Sequence, residues 1–239
     1  MRREVTPEIV RHVDITGNWE GLITYSRLDE ANVEATIGAQ IEYYEKLGQD
    51  FEWKYYDYDQ PPELKDRLSS FGFTPGEAEA TMVLDLANAP ERLWQPIRHD
   101  VRRITVPESL SDLVRVEEQV WEEDSTSIGN FLVDALRNTP DLMHIYVAYK
   151  DEKPISAAWV YFQPHSRFAS LWGGATLRDY RKQGFYTELL AVRAQEARAH
   201  GVSYLTVDAS PMSRPILERF GFNIITYSYP CKWKCQHGK

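Results

Sequence analysis

The chain reads as a mixed α/β protein, an α+β arrangement on a mixed sheet, with a full unit in its C-terminal part and a shortened copy of that unit before it. Three observations predict this. From residue 101 onward, strand-like and helix-like stretches follow in the order strand, two helices, three strands, helix, strand, helix, two strands. Segments 58–73 and 207–222 echo one another at a constant offset of 149 residues. Between Leu171 and Gly201, an apolar stretch runs into a basic turn holding one glycine, and a long helical pattern follows: LWGGATLRDYRKQGFYTELLAVRAQEARAHG.

In the first 30 residues only EGLITYSRLDE has strand character. Val33, Ile37, Ile41 and Tyr44 fall at helical spacing within residues 32–47, and Gly48 follows as a natural stop. FEWKYYDY at 51–58 is aromatic and alternating, hence a strand. Pro61 and Pro62 open a short helix, PELKDRLSSF, which Gly72 ends. ATMVLDL at 80–86 is another strand. The segment ANAPERLWQPIRHD (87–100) carries two prolines and no clean period, and marks a division into domains 1–95 and 101–239.

After it come a strand at 101–106 and helices near 108–122 and 127–138. MHIYVAYK (143–150) and ISAAWVYF (155–162), joined by DEKP, read as a hairpin. RFASLWGGAT (167–176) is the next strand, a helix covers 184–200, and SYLTVDA (203–209) is a strand. PMSRPILERF forms a short helix, and FNIITYSY and CKWKC close the chain as strands. In the echo, Asp59 meets Asp208, Pro62 meets Pro211, Leu68 meets Leu217, and Phe71-Gly72-Phe73 meets Phe220-Gly221-Phe222. Both copies run strand, Asp-x-x-Pro, short helix, Gly-Phe, strand. This order points to duplication. The first copy lacks the hairpin and the basic glycine turn.

A net charge of −9 and a pI near 5.2 argue against nucleic acid as a partner and suit a cationic one. The longest apolar run, AAWVYF, is far short of the roughly 20 residues of a membrane span, and the N-terminus shows no signal-peptide pattern. Two cysteines make no disulfide framework, so a cytoplasmic setting is expected. Cys231, Cys235 and His237 lack a second ligand pair, so no metal is expected.

The junction at 178–184 concentrates the chemistry. A helix start leaves several backbone N–H groups unsatisfied at the positive end of the dipole, where phosphates bind. Arg181 adds a bidentate donor and Lys182 adds field, while Gly184 removes a side chain from the approach. On these residues alone, a phosphate-binding turn and a solvated basic turn fit equally.

With the element order, RKQGFY and ILERFGF, residues 101–235 resemble the GNAT family of acyl-CoA N-acyltransferases. The resemblance implies the GNAT fold and acetyl-CoA as cosubstrate. It also implies a pyrophosphate loop of Arg181, Lys182, Gln183, Gly184, Phe185 and Tyr186, with Ala175, Thr176 and Leu177 offering backbone groups to the pantetheine arm and the thioester. Ser210 stands where the family often has Asn, as a helix cap or CoA contact. Two positions depart: Tyr186 where Gly or Ala is usual, and Leu217 where a proton-donating Tyr is common. The first departure also fits plain core packing beside Leu189 and Leu190.

A protonated amine cannot attack a thioester, so a base is required. Asp208 is one candidate. The run EEQVWEEDS supplies Glu117, Glu118, Glu122, Glu123 and Asp124, with Glu123 the favoured member. Asp208 as a cap of the short helix and the glutamates as a solvated face are the alternatives. Trp172 fits either the core or an acceptor cleft, and Gly173-Gly174 suit a bulge beside splayed strands. His144, His165 and His200 show no paired spacing. The expected activity is transfer of an acetyl group to a primary amine of a small molecule or peptide, without a covalent enzyme intermediate. The alternatives are an inactive acyl-CoA sensor and a self-associating scaffold, for example a homodimer. The N-terminal copy is expected to pack on the larger domain or complete the acceptor cleft.

Overall fold

The computed structural model describes residues 1–15, 17 and 19–236. The chain divides into two compact units. The first holds Met1–Thr81, Asp208–Arg214 and Ile224 onward; the second holds Met82–Val207 and Pro215–Asn223. The proline-bearing segment 87–100, expected to mark the domain division, lies within the second unit, and the last strand belongs almost wholly to the first.

In the first unit, β1 (Arg2–Val5), β2 (Ile9–Val13) and β3 (Gly21–Ser26) form an antiparallel meander. Helix α1 (Val33–Leu47) then crosses over to β4 (Phe51–Tyr56), which pairs parallel to β3. Only β3 carried a clear sequence signal, because β1 (RREV) and β2 (IVRHV), first and second from the sheet edge, are short strands with no polar–apolar alternation. Helix α2 (Leu64–Ser70), the two-residue β5 (Thr74–Pro75) and the start of β6 (Glu79–Asp85) follow. β12 (Asn223–Trp233) closes the unit antiparallel to β4. The core gathers Ile9, Ile23, Ile37, Tyr44, Phe51, Trp53, Leu68 and Trp233, all buried. Tyr44 stacks on Phe51 at 4.2 Å.

The second unit carries the order β6-β11-β10-β9-β8-β7, with β7 Asp100–Ile104, β8 Met143–Lys150, β9 Lys153–Phe162, β10 Phe168–Thr176 and β11 Tyr204–Ala209. β7 to β10 are antiparallel to their neighbours, and β10 and β11 are parallel. Helices α3 (Leu110–Trp121), α4 (Thr126–Asn138), α5 (Phe185–Ala199) and α6 (Arg214–Arg219) complete it, with α3 and α5 both packed on β9 and β10. β8 and β9 are buried along nearly their whole length, as a covered central sheet requires. No helix among the described residues is long and apolar enough to cross a membrane.

The echo is structural as well as sequential. After α2, the amides of Phe71 and Phe73 both donate to the Leu68 carbonyl, and Gly72 N–H donates to Ser69. After α6, the amides of Phe220 and Phe222 both donate to the Leu217 carbonyl, and Gly221 N–H donates to Glu218. Every one of these bonds recurs at the same offset of 149. Leu68 and Leu217 are both buried and anchor the same helix-ending turn. Leu217 is therefore a core residue.

Candidate functional site

The site is built on β10. Phe168, Ala169 and Ser170 pair with Tyr204, Leu205 and Thr206 of β11, and the pairing stops there. β10 continues to Thr176 against β9 alone, with a register shift between Gly173 and Ala175. Gly173 and Gly174 make this bulge with φ of +66° and +89°. A Cβ on Gly173 would lie 2.5 Å from the Trp159 ring, and one on Gly174 would lie 3.1 Å from the Tyr186 ring. The two glycines are therefore required both by backbone and by the aromatic rings pressed against them. Tyr186, at the position where a small residue was anticipated, lies against this bulge. Trp172 is 51% exposed and its indole N–H donates to Ser170 Oγ, so it is not a core residue.

Sequence reasoning missed Arg193. It sits on the buried face of α5, 2% exposed, where a charged residue breaks the apolar stripe. Its Nε donates to the Leu189 carbonyl, and its Nη1 donates to the carbonyls of Trp159 and Trp172, both at 3.2 Å. Trp159 and Trp172 are opposite each other on β9 and β10, one pair before the register shift. Burial lowers the guanidinium to about 10, so it stays charged at neutral pH. A helix side chain thus ties the bulge from behind by satisfying two strand carbonyls.

The basic loop leaves β10 next. The Thr176 carbonyl accepts from Arg181 Nε at 3.1 Å, and the Ala175 carbonyl accepts from Ser156 Oγ at 2.7 Å. The Leu177 amide donates to Ile155. These three residues, expected to offer backbone groups to a ligand, thus already use part of that capacity to fix the end of the strand. Arg178–Tyr180 form one 3-10 turn, Lys182 has φ +63°, and Gln183 Nε2 donates back to the Asp179 carbonyl. Arg181, Lys182 and Gln183 are exposed. Among the described residues, the amides of 182–187 donate to no backbone carbonyl.

Gly184 caps α5 with φ +98°. A Cβ there would meet His99 Cε1 at 3.2 Å, so this glycine makes room for a protein ring. The ring of His99 lies 4.0 Å from that of Phe185, and the amides of Arg98 and His99 donate to Glu188 Oε2 at 3.0 and 2.7 Å. Gln195 Nε2 donates to the carbonyls of Leu93 and Gln95. Segment 91–99 thereby clasps the outer side of α5 while the exposed loop residues 181–183 remain open. A recess of about 290 Å³ lies along this side, walled by Arg92, Arg98, Thr187, Glu188 and Phe220.

The candidate carboxylates separate sharply. Glu123 is exposed in the turn between α3 and α4. Glu117 is 2% exposed on the stripe of α3 that also buries Leu110 and Leu113. Its Oε2 accepts from the Trp121 indole at 2.8 Å, while Oε1 is buried with no partner. Burial pushes this carboxyl up to about 7, against a smaller lowering by the Trp121 bond. Asp208 and Ser210 belong to the first unit. Asp208 accepts from Lys54, and from Thr81 Oγ1 at 2.7 Å; its carboxylate bonds these side chains instead of the start of α6. Ser210 Oγ accepts from the Ser213 amide at 3.3 Å at the entrance to α6. Cys231 is buried and Cys235 half-buried; His237 lies outside the described residues.

Residues 106–222 match the family described as Acetyltransferase (GNAT) family. No curated protein matches the chain in sequence. Among solved structures, the fold is similar to a GCN5-related N-acetyltransferase from Kribbella flavida, with a TM-score of 0.72 and 14% identity over 97% of this chain and 88% of that one. It is also similar to a tandem GNAT protein from the clavulanic acid biosynthesis pathway, with a TM-score of 0.66 and 12% identity over 97% and 79%. A GCN5-related N-acetyltransferase from Sphaerobacter thermophilus aligns with a TM-score of 0.62 and 12% identity over 97% and 78%.

Proposed function

Since residues 106–222 are a domain of the GNAT acetyltransferase family, we propose that the chain is an acetyl-CoA-dependent N-acetyltransferase acting on a primary amine by direct transfer. The observation that carries this reading is the conjunction of a bulged β10, parted from β11 after Ser170, with an exposed basic loop whose amides lack backbone acceptors. Acetyl-CoA supplies the activated acetyl group as a thioester.

The chain's own residues divide the work. Amides from Lys182 to Tyr186, with the Arg181 guanidinium, hold a diphosphate at the start of α5. Arg181 is already oriented by its Nε bond to Thr176, which leaves its terminal nitrogens for the ligand. Strand residues Ala175 to Leu177, stiffened by Ser156, line the acyl arm. Glu117 takes the amine proton, through water, because a carboxyl near 7 matches the operating pH better than an ordinary glutamate. Glu123, exposed in the turn after α3, is the other carboxylate of this unit assigned to proton removal. Leu217, buried in the core, leaves departure of the thiolate without a tyrosine donor. A thiol of pKa ~8.5 departs without strong assistance.

The test is thiol release from acetyl-CoA with a panel of polyamines, amino acids, aminoglycosides and peptide N-termini. Release with at least one amine is expected. In parallel, Arg181→Ala is expected to weaken CoA binding by about 1.5–3 kcal/mol, the range for a hydrogen bond to a charged group. Thermal stabilisation by CoA with no release from any amine would reduce the chain to an acyl-CoA-binding module. No stabilisation at all would remove the cosubstrate assignment.

A further inference from the structure

At the end of α5 remote from the loop, three residues from two elements converge. His144 lies on β8, and Glu196 and His200 lie one turn apart at the end of α5. Nδ1 of His144 is 3.0 Å, and Nε2 of His200 is 3.4 Å, from the same Oε1 of Glu196. One ligand atom from each residue lies within 4.8 Å of the other two. His144 is 2% exposed, and despite the short distance its Nδ1 makes no hydrogen bond. Tyr146, two residues along the strand, carries a buried hydroxyl that also lacks a hydrogen-bond partner. Buried polar atoms are rarely left without partners.

We propose that His144, Glu196 and His200 form a divalent metal site selective for Zn²⁺. Two imidazoles and one carboxylate are a borderline-soft donor set of the kind zinc prefers, with a fourth tetrahedral position left for water. Bonds of ~2.05 Å in a tetrahedron place ligand atoms ~3.3 Å apart, close to the two measured separations. The last turn of a helix presents the negative end of its dipole, which favours a cation. Phe162 stacks on His200 at 4.4 Å between ring centroids, and the rings of His200 and His144 meet edge to face at 4.9 Å, so both imidazoles are fixed in plane. Arg103 Nη1, 3.7 Å from Glu196 Oε1, is the opposing charge in the cluster. It places the affinity below that of a closed structural site. The ion would pin the end of α5 to β8.

The full chain, stripped with a chelator, is titrated with Zn²⁺ by calorimetry and with Co²⁺ by visible absorption. One ion per chain with tetrahedral Co²⁺ bands is expected. His200→Ala and Glu196→Gln, at half-exposed positions and checked for folding by circular dichroism, are each expected to lose at least tenfold in Zn²⁺ affinity. Cys235→Ser is expected to bind as the parent does. Absence of stoichiometric ion, undiminished affinity in either of the first two variants, or loss in Cys235→Ser would overturn the site.

Discussion

Glu117 shows most directly how one residue's surroundings set its chemistry. Five other acidic residues lie within seven positions of it, yet it alone among them falls on the buried stripe of α3, with one oxygen unpartnered. Replacing it with Gln removes a group that prefers its proton. Above pH 7 the variant should therefore be more stable than the parent, by about 2 kcal/mol, because the parent must then hold a buried anion. If Glu117 is the base, the same change lowers kcat/KM by roughly 10²–10⁴-fold and abolishes the acid limb of the rate profile near its titration point. A stability gain with an unaltered profile would leave Glu117 a purely structural carboxyl. Asp208→Asn and Glu123→Gln run beside it.

The bulge of β10 is a property of the element and of its neighbours. Arg193 reaches from α5 to carbonyls on both β9 and β10, Trp159 covers Gly173, and Tyr186 covers Gly174. Gly173→Ala imposes a β-carbon at positive φ and 2.5 Å from an indole. We expect a loss of about 2–4 kcal/mol in urea denaturation, from backbone strain and overpacking together. CoA-dependent stabilisation should fall as well, because Tyr186 and Arg193 link the bulge to the helix that carries the loop. A variant of parental stability would show that the strand relaxes without cost.

At the scale of the molecule, buried carboxyls and buried imidazoles pull stability in opposite directions as pH changes. Burial raises Asp59 in the first unit to about 6 and Glu117 in the second to about 7, and Glu52 is raised by burial in the same sense. Between the ordinary carboxyl range and these values the folded chain binds more protons than the unfolded chain. Stability therefore falls as pH rises through that window. Burial lowers His12 and His144, and these imidazoles act in the opposite sense below their ordinary range; we therefore expect a net decrease of only about 1–2 kcal/mol from pH 5 to pH 8, followed by chemical denaturation at several pH values. Asp59→Asn and Glu117→Gln should each flatten the curve. A stability that rises over this interval would show these carboxyls to be better solvated than their burial implies.

The fold class, the repeat at 149 residues, the strand–loop–helix junction and the family resemblance were legible along the chain, because each is written in short-range periodicity and in residues adjacent in sequence. Leu68 and Leu217, with the Phe-Gly-Phe turns after them, repeat the same hydrogen bonds. Tertiary structure decided what depends on residues far apart in sequence. It buried Glu117 while exposing Glu123, gave Asp208 to Lys54, set Arg193 beneath the bulge and brought His144 to Glu196 and His200. It also gave Gly184 a neighbour, His99, that sits 85 positions earlier in the chain. Periodicity reports which face of a helix or strand is apolar. Which polar group on that face meets which partner depends on strand order and register, which only the folded chain fixes.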